Sequence, residues 1–169
     1  MKNLLCLLLP LFLQCSAYAA ESNDSIHVEI KDSLLFINHQ FVHHDSTVVF
    51  FKHHFGKPNR KKKGKDHSWN EYIYDDLGIS ITTFPNRVSV SFHYKSIIKE
   101  QPKSEFRGQI TINQHLIKKQ YSLQKLEHLF STYQFNIIHN TSLNGQFFSF
   151  TKNYSDNHLS EITYHFNTH

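Results

Sequence analysis

The sequence predicts an α+β fold made of two tandem repeats. Each repeat is a β-hairpin, one helix and an antiparallel meander, with the helices packed on an antiparallel sheet. Three observations predict this fold. The chain matches itself after a shift of 75 positions. Short segments alternate between apolar and polar residues, as half-buried strands do, and one segment in each half spaces its apolar residues by three and four, as a helix does.

The first element is a secretory signal peptide, predicted at residues 1–19. Lys2 provides a positive charge, residues 4–13 form an apolar run, and Ala17-Tyr18-Ala19 is a small-x-small cleavage site. The run is too short for a bilayer, which takes about 20 apolar residues to cross. We therefore expect a periplasmic or secreted protein with no transmembrane segment in the mature chain, residues 20–169.

Both cysteines, Cys6 and Cys15, lie within this leader, so the predicted mature domain has no thiol and no disulfide. Exported eukaryotic domains of this size usually carry disulfides, and we therefore expect a bacterial periplasm. Lipidation of Cys15 is disfavoured, because Leu13 and Gln14 occupy positions where lipoprotein processing favours small residues.

The mature chain is predicted to be a single domain whose two repeats span about 26–98 and 105–169. Residues 35–55 align without a gap on residues 110–130, with four identities in 21 positions and the apolar positions in register. The polar stretch 99–104, which contains Pro102, is the predicted linker between the repeats.

The internal match decides between helix and strand for the first repeat. Residues 122–130 have helical spacing and begin at Ser122, a good N-cap. Residues 47–51 look like a strand by propensity, but their place in the repeat predicts a helix over 46–55, which Gly56 would end.

Around the helices the pattern changes to period two, which predicts strands. Residues 26–30 and 88–94 alternate, and Asp75-Asp76-Leu77-Gly78 is typical of a hairpin turn. Two arrangements stay open: both helices on one continuous sheet, or two packed sheets. In either case we expect one sheet face to be aromatic, polar and open to a partner.

Three motifs carry a resemblance to known proteins. They are Phe55-Gly56-x-Pro58-x-Arg60, then Tyr72-x-Tyr74-Asp75-Asp76-Leu77-Gly78-Ile79, then Phe106-x-Gly108-x-Ile110-x-Ile112-Asn113. Together they resemble an uncharacterised bacterial domain family. At the level of fold, the tandem arrangement also resembles beta-lactamase inhibitor protein and the small outer-membrane assembly lipoproteins, which implies a binding module. The lipobox of those lipoproteins is missing, so membrane anchoring is not implied.

Catalytic motifs are missing from the sequence. It contains no G-x-S-x-G, P-loop or G-x-G-x-x-G motif, and we expect no enzyme and no cofactor. Asp75-Asp76 could be read as an acid–base pair, but neighbouring aspartates at a hairpin corner usually serve the turn.

Histidine is abundant, with 14 residues. Neighbouring histidines such as His43-His44 and His53-His54 point apart on regular elements, so we predict no metal site. The alternative that histidines make partner binding sensitive to pH stays open.

The formal charge of +4 is concentrated in one basic run. The residues expected to contact a partner are Arg60, Lys61, Lys62, Lys63, Trp69, Tyr72 and Tyr74. The run could instead be a solvated loop, and Trp69 a core residue. We expect an acidic protein partner, or an anionic envelope surface contacted by the basic loop, and we exclude nucleic acid because the protein is exported.

The leading hypothesis is a periplasmic protein-binding module, such as an inhibitor or immunity protein against a toxin or enzyme. One alternative is an accessory protein of envelope assembly. Another is a metal-binding or hydrolytic periplasmic protein.

Overall fold

The computed structural model describes residues 26–96, 98–138, 142–153, 155 and 157–167. The predicted signal peptide, with Cys6 and Cys15, lies outside the described residues. Strands account for 43% of the structure and helices for 14%, so the protein is mostly β. Neither of the two α-helices in the described part of the chain is long and apolar enough to cross a membrane.

The described residues form thirteen strands and two α-helices. The strands are β1 His27–Lys31, β2 Leu34–Ile37, β3 Gln40–Phe41, β4 Arg60–Lys63, β5 Asn70–Tyr74, β6 Ile79–Phe84, β7 Arg87–His93, β8 Gln109–Ile112, β9 His115–Leu116, β10 Asn136–Ile138, β11 Ser142–Asn144, β12 Phe148–Lys152 and β13 Leu159–Asn167. The helices are α1 Thr47–Phe55 and α2 Leu123–Leu129, and a 3-10 turn, His44–Ser46, precedes α1.

The smaller sheet has five strands in the order β3-β2-β1-β8-β9. Its pairs are antiparallel except β1 with β8, which is parallel. Period-two alternation explains β1, in which Val28 and Ile30 are buried and their neighbours His27 and Glu29 are half-buried. Both edge strands have only two residues, which leaves little free edge for unwanted pairing.

The larger sheet is antiparallel and has eight strands in the order β10-β11-β12-β13-β7-β6-β5-β4. Two four-stranded meanders, β4 to β7 and β10 to β13, meet where β7 pairs with β13. The Asp75–Gly78 turn predicted from sequence joins β5 to β6. Gly78 has a φ of +67°, a conformation that glycine adopts at little cost.

One buried core connects both sheets and both helices. Ile30 and Ile110 of the small sheet belong to the same buried cluster as Phe92 and Phe150 of the large sheet. The Tyr164 hydroxyl adds a polar link, since it donates to the Ser33 carbonyl oxygen at 2.7 Å.

The predicted α+β class, with helices packed on a sheet, is wrong. The helix expected at 46–55 is present as α1, but it has nine residues and buries only Thr47 and Phe51 fully. Helix α2 has seven residues and likewise buries two, Leu123 and Leu126. Stripes this small cannot cover a sheet face, and a second sheet covers it instead. Of the two arrangements that the sequence left open, the one with two sheets is observed.

The order of elements is the same in both halves of the described chain. A hairpin, a helix and four strands follow one another from β2 to β7 and again from β8 to β13. The strand order of each sheet also places equivalent elements at opposite ends. That the halves arose by duplication and superpose stays a prediction.

Candidate functional site

The basic run forms strand β4 at an edge of the large sheet, and not the solvated loop considered from sequence. β4 pairs with β5 on one side, and no described strand pairs with its other side. Successive residues of a strand face opposite sides of the sheet. Arg60 and Lys62 therefore point to one face, and Lys61 and Lys63 to the other.

Arg60 is engaged inside the protein. Its Nε and Nη2 donate to the two carboxylate oxygens of Asp75 at 2.8 and 2.6 Å, and Nη2 also donates to the Gln101 carbonyl oxygen at 2.7 Å. The backbone N–H of Lys103 donates to the same carboxylate at 3.0 Å. The hydrogen bond from Arg60 holds the pKa of Asp75 below its ordinary value. We call these hydrogen bonds of Arg60 and Asp75 the clasp, and they join β4 to the β5–β6 turn and to the 98–104 segment.

Lys62 supports the same arrangement. Its Nζ lies 3.3 Å from the Glu71 carboxylate and donates to the Glu100 carbonyl oxygen at 2.8 Å. The predicted linker between the halves is thus fixed against β4 by Arg60 and Lys62. Neither of these two cations is free for a partner.

Lys61 and Lys63 are exposed. No ion pair joins either of them to a carboxylate in the described part of the chain. The Lys61 ammonium lies 4.8 Å from the centre of the Tyr72 ring, and the Lys52 ammonium of α1 lies 5.6 Å from it. These distances are within the range of cation–π attraction. We call Lys52, Lys61, Lys63 and Tyr72 the basic edge.

The other two aromatic residues predicted as contacts are more enclosed than the exposed lysines of the basic edge. Trp69 is half-buried at the end of the β4–β5 hairpin, where a Cβ on Gly64 would lie 2.7 Å from its Nε1. Tyr74 is only 2% exposed, and its ring centre is 5.8 Å from that of Phe51 in the core. Burial raises the pKa of Tyr74 to about 12. The expectation that Tyr74 contacts a partner is therefore not supported.

Partly exposed apolar side chains lie at the two edges of one face of the small sheet, with the polar residues Glu29 and Thr111 between them. Phe36 and Phe41 are register partners with ring centres 5.7 Å apart at one edge, and Leu116 pairs with Thr111 at the other. Phe41 is 48% and Leu116 44% exposed. This face is an aromatic sheet surface of the kind expected from the sequence, but it does not include the residues predicted as contacts.

Sequence reasoning missed two serine–histidine pairs on the polar face of the large sheet. The Ser80 Oγ lies 3.0 Å from Nε2 of His93, and the Ser149 Oγ lies 2.8 Å from Nε2 of His165. They come together because β6, β7, β13 and β12 are neighbours in that order. The alternation of 87–93 indicates that Ser89, Ser91 and His93 share a face, but only the β7–β13 register brings His165 beside them.

The first pair is enclosed. His93 Nδ1 lies 3.3 Å from the Glu161 carboxylate but makes no hydrogen bond. Ser80 is 3% and His93 4% exposed. Burial lowers the pKa of His93, and Glu161 opposes that shift.

The second pair is open to a shallow depression of about 460 Å³. Arg87, Glu161 and Thr163 line it together with this pair. His165 Nδ1 also lies 3.0 Å from the Ser89 hydroxyl. Burial, and then the charge of Arg87, lower the pKa of His165 to about 4, so the ring is neutral near pH 7.

A protein-family model described as a domain of unknown function (DUF7738) matches residues 27–127, more than half of the chain. The chain belongs to this family. The prediction of an uncharacterised domain family is thereby confirmed. No curated protein and no solved structure matches the chain, so the fold-level resemblance to beta-lactamase inhibitor protein stays a prediction. The DUF7738 match includes the basic edge and the Ser80–His93 pair, and it ends before Ser149 and His165.

Proposed function

We propose that the protein is a periplasmic binding module whose basic edge captures an acidic segment of a protein partner. An inhibitor or immunity protein that blocks a toxin or enzyme is the role that fits best. One observation carries the proposal: Lys61 and Lys63 are exposed on a free sheet edge, with no carboxylate paired to them among the described residues.

The side chains on one face of β4 stabilise the fold, and those on the other face are available for recognition. Arg60 and Lys62 are held by Asp75, Glu71 and backbone carbonyl groups. Lys61 and Lys63 have no such partners in the part of the chain that the structure describes, so a bound carboxylate would displace no ion pair seen there. Residues two apart on a strand lie about 6.6 Å apart, a spacing that suits alternate acidic residues of an extended segment.

The free edge of β4 offers backbone groups to the same segment. An added strand gains affinity from main-chain hydrogen bonds and specificity from alternate side chains. Tyr72 lies between two lysines, and its ring attracts both ammonium groups. This attraction limits their motion and lowers the entropy cost of binding.

Lysines on an edge strand have a competing explanation, since they also prevent aggregation by edge-to-edge pairing. The two explanations differ in what charge reversal does. If the lysines only protect the edge, K61E/K63E should remain soluble and lose no partner. If the basic edge recognises acidic segments, the same variant should lose its partner through direct repulsion.

The test is capture of partners from periplasmic extract by the mature chain, with identification by mass spectrometry. The matched control is K118E/K125E, which makes the same change in net charge. Lys118 and Lys125 are exposed, and the Lys125 ammonium lies 4.1 Å from the centre of the Tyr121 ring. We expect one acidic protein to be recovered by wild type and control and not by K61E/K63E. Equal recovery by all three would refute the basic edge, and binding only to anionic lipid vesicles would favour the envelope surface instead.

Export is the second part of the proposal, and the N-terminal pattern supports it. Cell fractionation should place the protein in the periplasm, and sequencing its N-terminus should find Ala20 first. Co-fractionation with outer-membrane assembly complexes would favour the accessory role over the inhibitor role. An uncleaved protein in the cytoplasm would refute export.

A serine hydrolase is the second candidate function. The hydroxyl, imidazole and carboxylate of Ser80, His93 and Glu161 follow the order of a catalytic triad. Ser80 is 3% exposed, and Ser149 is 6% exposed but lines the depression of about 460 Å³. The nucleophile that a substrate could reach would therefore be Ser149, whose hydroxyl contacts His165. A fluorophosphonate probe should label a hydrolase at Ser149 and lose that label in S149A. The binding module that we favour should not be labelled.

A further inference from the structure

Three consecutive polar residues converge just before α1. His44 Nε2 lies 2.7 Å from Oδ1 of Asp45, and His43 Nδ1 lies 3.7 Å from Oδ2 of the same carboxylate. All three candidate ligand atoms lie within 4.8 Å of one another. Neither the proposed partner nor the polar face of the large sheet uses these side chains.

The backbone explains why neighbouring histidines meet here. His43 is extended, with φ −82° and ψ 140°, and the 3-10 turn begins at His44. On a regular strand the two rings would face opposite sides, but the change from strand to turn brings them to the same side, with ring centres 5.2 Å apart. His43 and His44 therefore do not point apart, contrary to the expectation from sequence.

A buried threonine holds this backbone in place. Thr47 is 1% exposed, and its hydroxyl lies 3.1 and 3.0 Å from the carbonyl oxygens of His43 and His44. His43 Nδ1 also accepts the backbone N–H of Asp45 at 3.3 Å. That contact selects the tautomer whose Nδ1 carries a lone pair, and a metal ion bound at Nδ1 would replace this hydrogen bond.

We propose that His43, His44 and Asp45 bind a divalent transition-metal ion of the zinc class. Two imidazole nitrogens and one carboxylate oxygen are ligands that suit Zn²⁺, and three protein ligands leave one position open to water. Bonds of about 2.0–2.1 Å require the ligand atoms to lie about 3.3 Å apart. The distances from His44 Nε2 to Oδ1 and from His43 Nδ1 to Oδ2 of Asp45, 2.7 and 3.7 Å, are close to that separation and involve the two oxygens of the one carboxylate.

The site lies at the surface. The side chains of His43, His44 and Asp45 are 57%, 32% and 72% exposed, so substitution of each should leave the core intact. Metal binding would replace the contact between His44 and Asp45, and it would tie His43 to the 3-10 turn.

The experiment is calorimetric titration of ZnCl₂ into the mature chain with no affinity tag. We expect one saturable site in wild type, and at least tenfold weaker binding in each of H43A, H44A and D45N. The matched control is H53A/H54A, an exposed pair on α1 whose ring centres are 5.0 Å apart. Among the described residues, no carboxylate joins this pair in a three-residue cluster. The control should bind as wild type does.

NMR on the same samples locates the ion. Zinc should shift the backbone and ring signals of residues 43–45 and leave those of His53 and His54 unchanged. No saturable binding up to about 1 mM zinc, unchanged affinity in all three single variants, or loss of binding in the control would each overturn the proposal. Because the readout is metal affinity, this result is independent of whether the basic edge binds a partner.

Discussion

Replacing Arg60 by alanine removes the group that joins β4, the β5–β6 turn and the 98–104 segment. The variant leaves the Asp75 carboxylate, which is 5% exposed, without its ion pair and with only the Lys103 backbone donor among the bonds described. Breaking a buried pair on one side costs about 3–5 kcal/mol. Since the Arg60 side chain is 29% exposed, we expect the lower end, about 3 kcal/mol. For a chain of this length that corresponds to a fall in Tm of about 6–12 °C.

Urea unfolding at pH 7 measures this free energy, and a double-mutant cycle with D75N isolates the pairwise part. The control is K62A, which removes a cation from the same strand and face. Its pair with Glu71 is partly exposed, so we expect a loss below about 1 kcal/mol. A loss for R60A no larger than that for K62A would refute the clasp.

The same clasp has a pH dependence with a defined sign. The pKa of Asp75 is lowered in the folded protein, so the carboxylate contributes stability above its unfolded pKa. That contribution disappears as pH falls through 3.8 and below. The difference between wild type and R60A should therefore be full above about pH 5 and shrink in acid.

Three further predictions follow from burial, backbone conformation and titration. F51A should lose about 3–5 kcal/mol of unfolding free energy because Phe51 is fully buried. In the same urea experiment, V49A, on the exposed side of α1, should change the unfolding free energy by less than about 0.5 kcal/mol. G78A should be more destabilising than G56A by at least about 1 kcal/mol. Both glycines have positive φ, but a Cβ on Gly78 would overlap the backbone of the 105–106 segment, whereas a Cβ on Gly56 would meet nothing within 4 Å. NMR titration of His165 should give a pKa of about 4. Because the unfolded chain takes up this proton near pH 6.5, the unfolding free energy should fall between pH 6.5 and 4 in wild type and less steeply in H165Q. A pKa of His165 at its ordinary value would contradict the described burial.

Local patterns predicted several elements correctly. The alternation of 26–30 and 88–94 predicted strands where β1 and β7 lie, and the internal match predicted the helix that is α1. These elements were predictable because periodicity reflects which side chains a segment buries. The hairpin turn at 75–78 was predictable for a similar reason, since its residue types suit the conformation.

The fold class was not predictable in the same way. Arg60 to Lys63 has a composition that rarely forms strands, yet it pairs with β5 because the sheet offers it a partner and Asp75 and Glu71 hold its cations. Tertiary context of this kind overrides β-propensity. With β4 read as a loop and β11 not recognised, the helices were given too large a part of the core.

For a related reason, the sequence did not predict the serine–histidine pairs or the His43-His44-Asp45 cluster. Ser149 meets His165 only through the β12–β13 pairing, and Ser89 meets it only through the β7–β13 pairing. The histidine cluster depends on a strand-to-turn transition at His44. Sequence spacing alone contains neither the strand order nor the turn.

Hydrogen exchange on the isolated complex tests the basic edge most directly. We expect the backbone amides of Lys61 and Lys63 to exchange more slowly when the partner is bound, because the free side of β4 then gains hydrogen bonds. The exposed face of the small sheet around Phe41 and Leu116 should exchange as in the free protein. Protection of that face, with unchanged exchange across β4, would contradict the proposed function and move the binding surface to the other sheet.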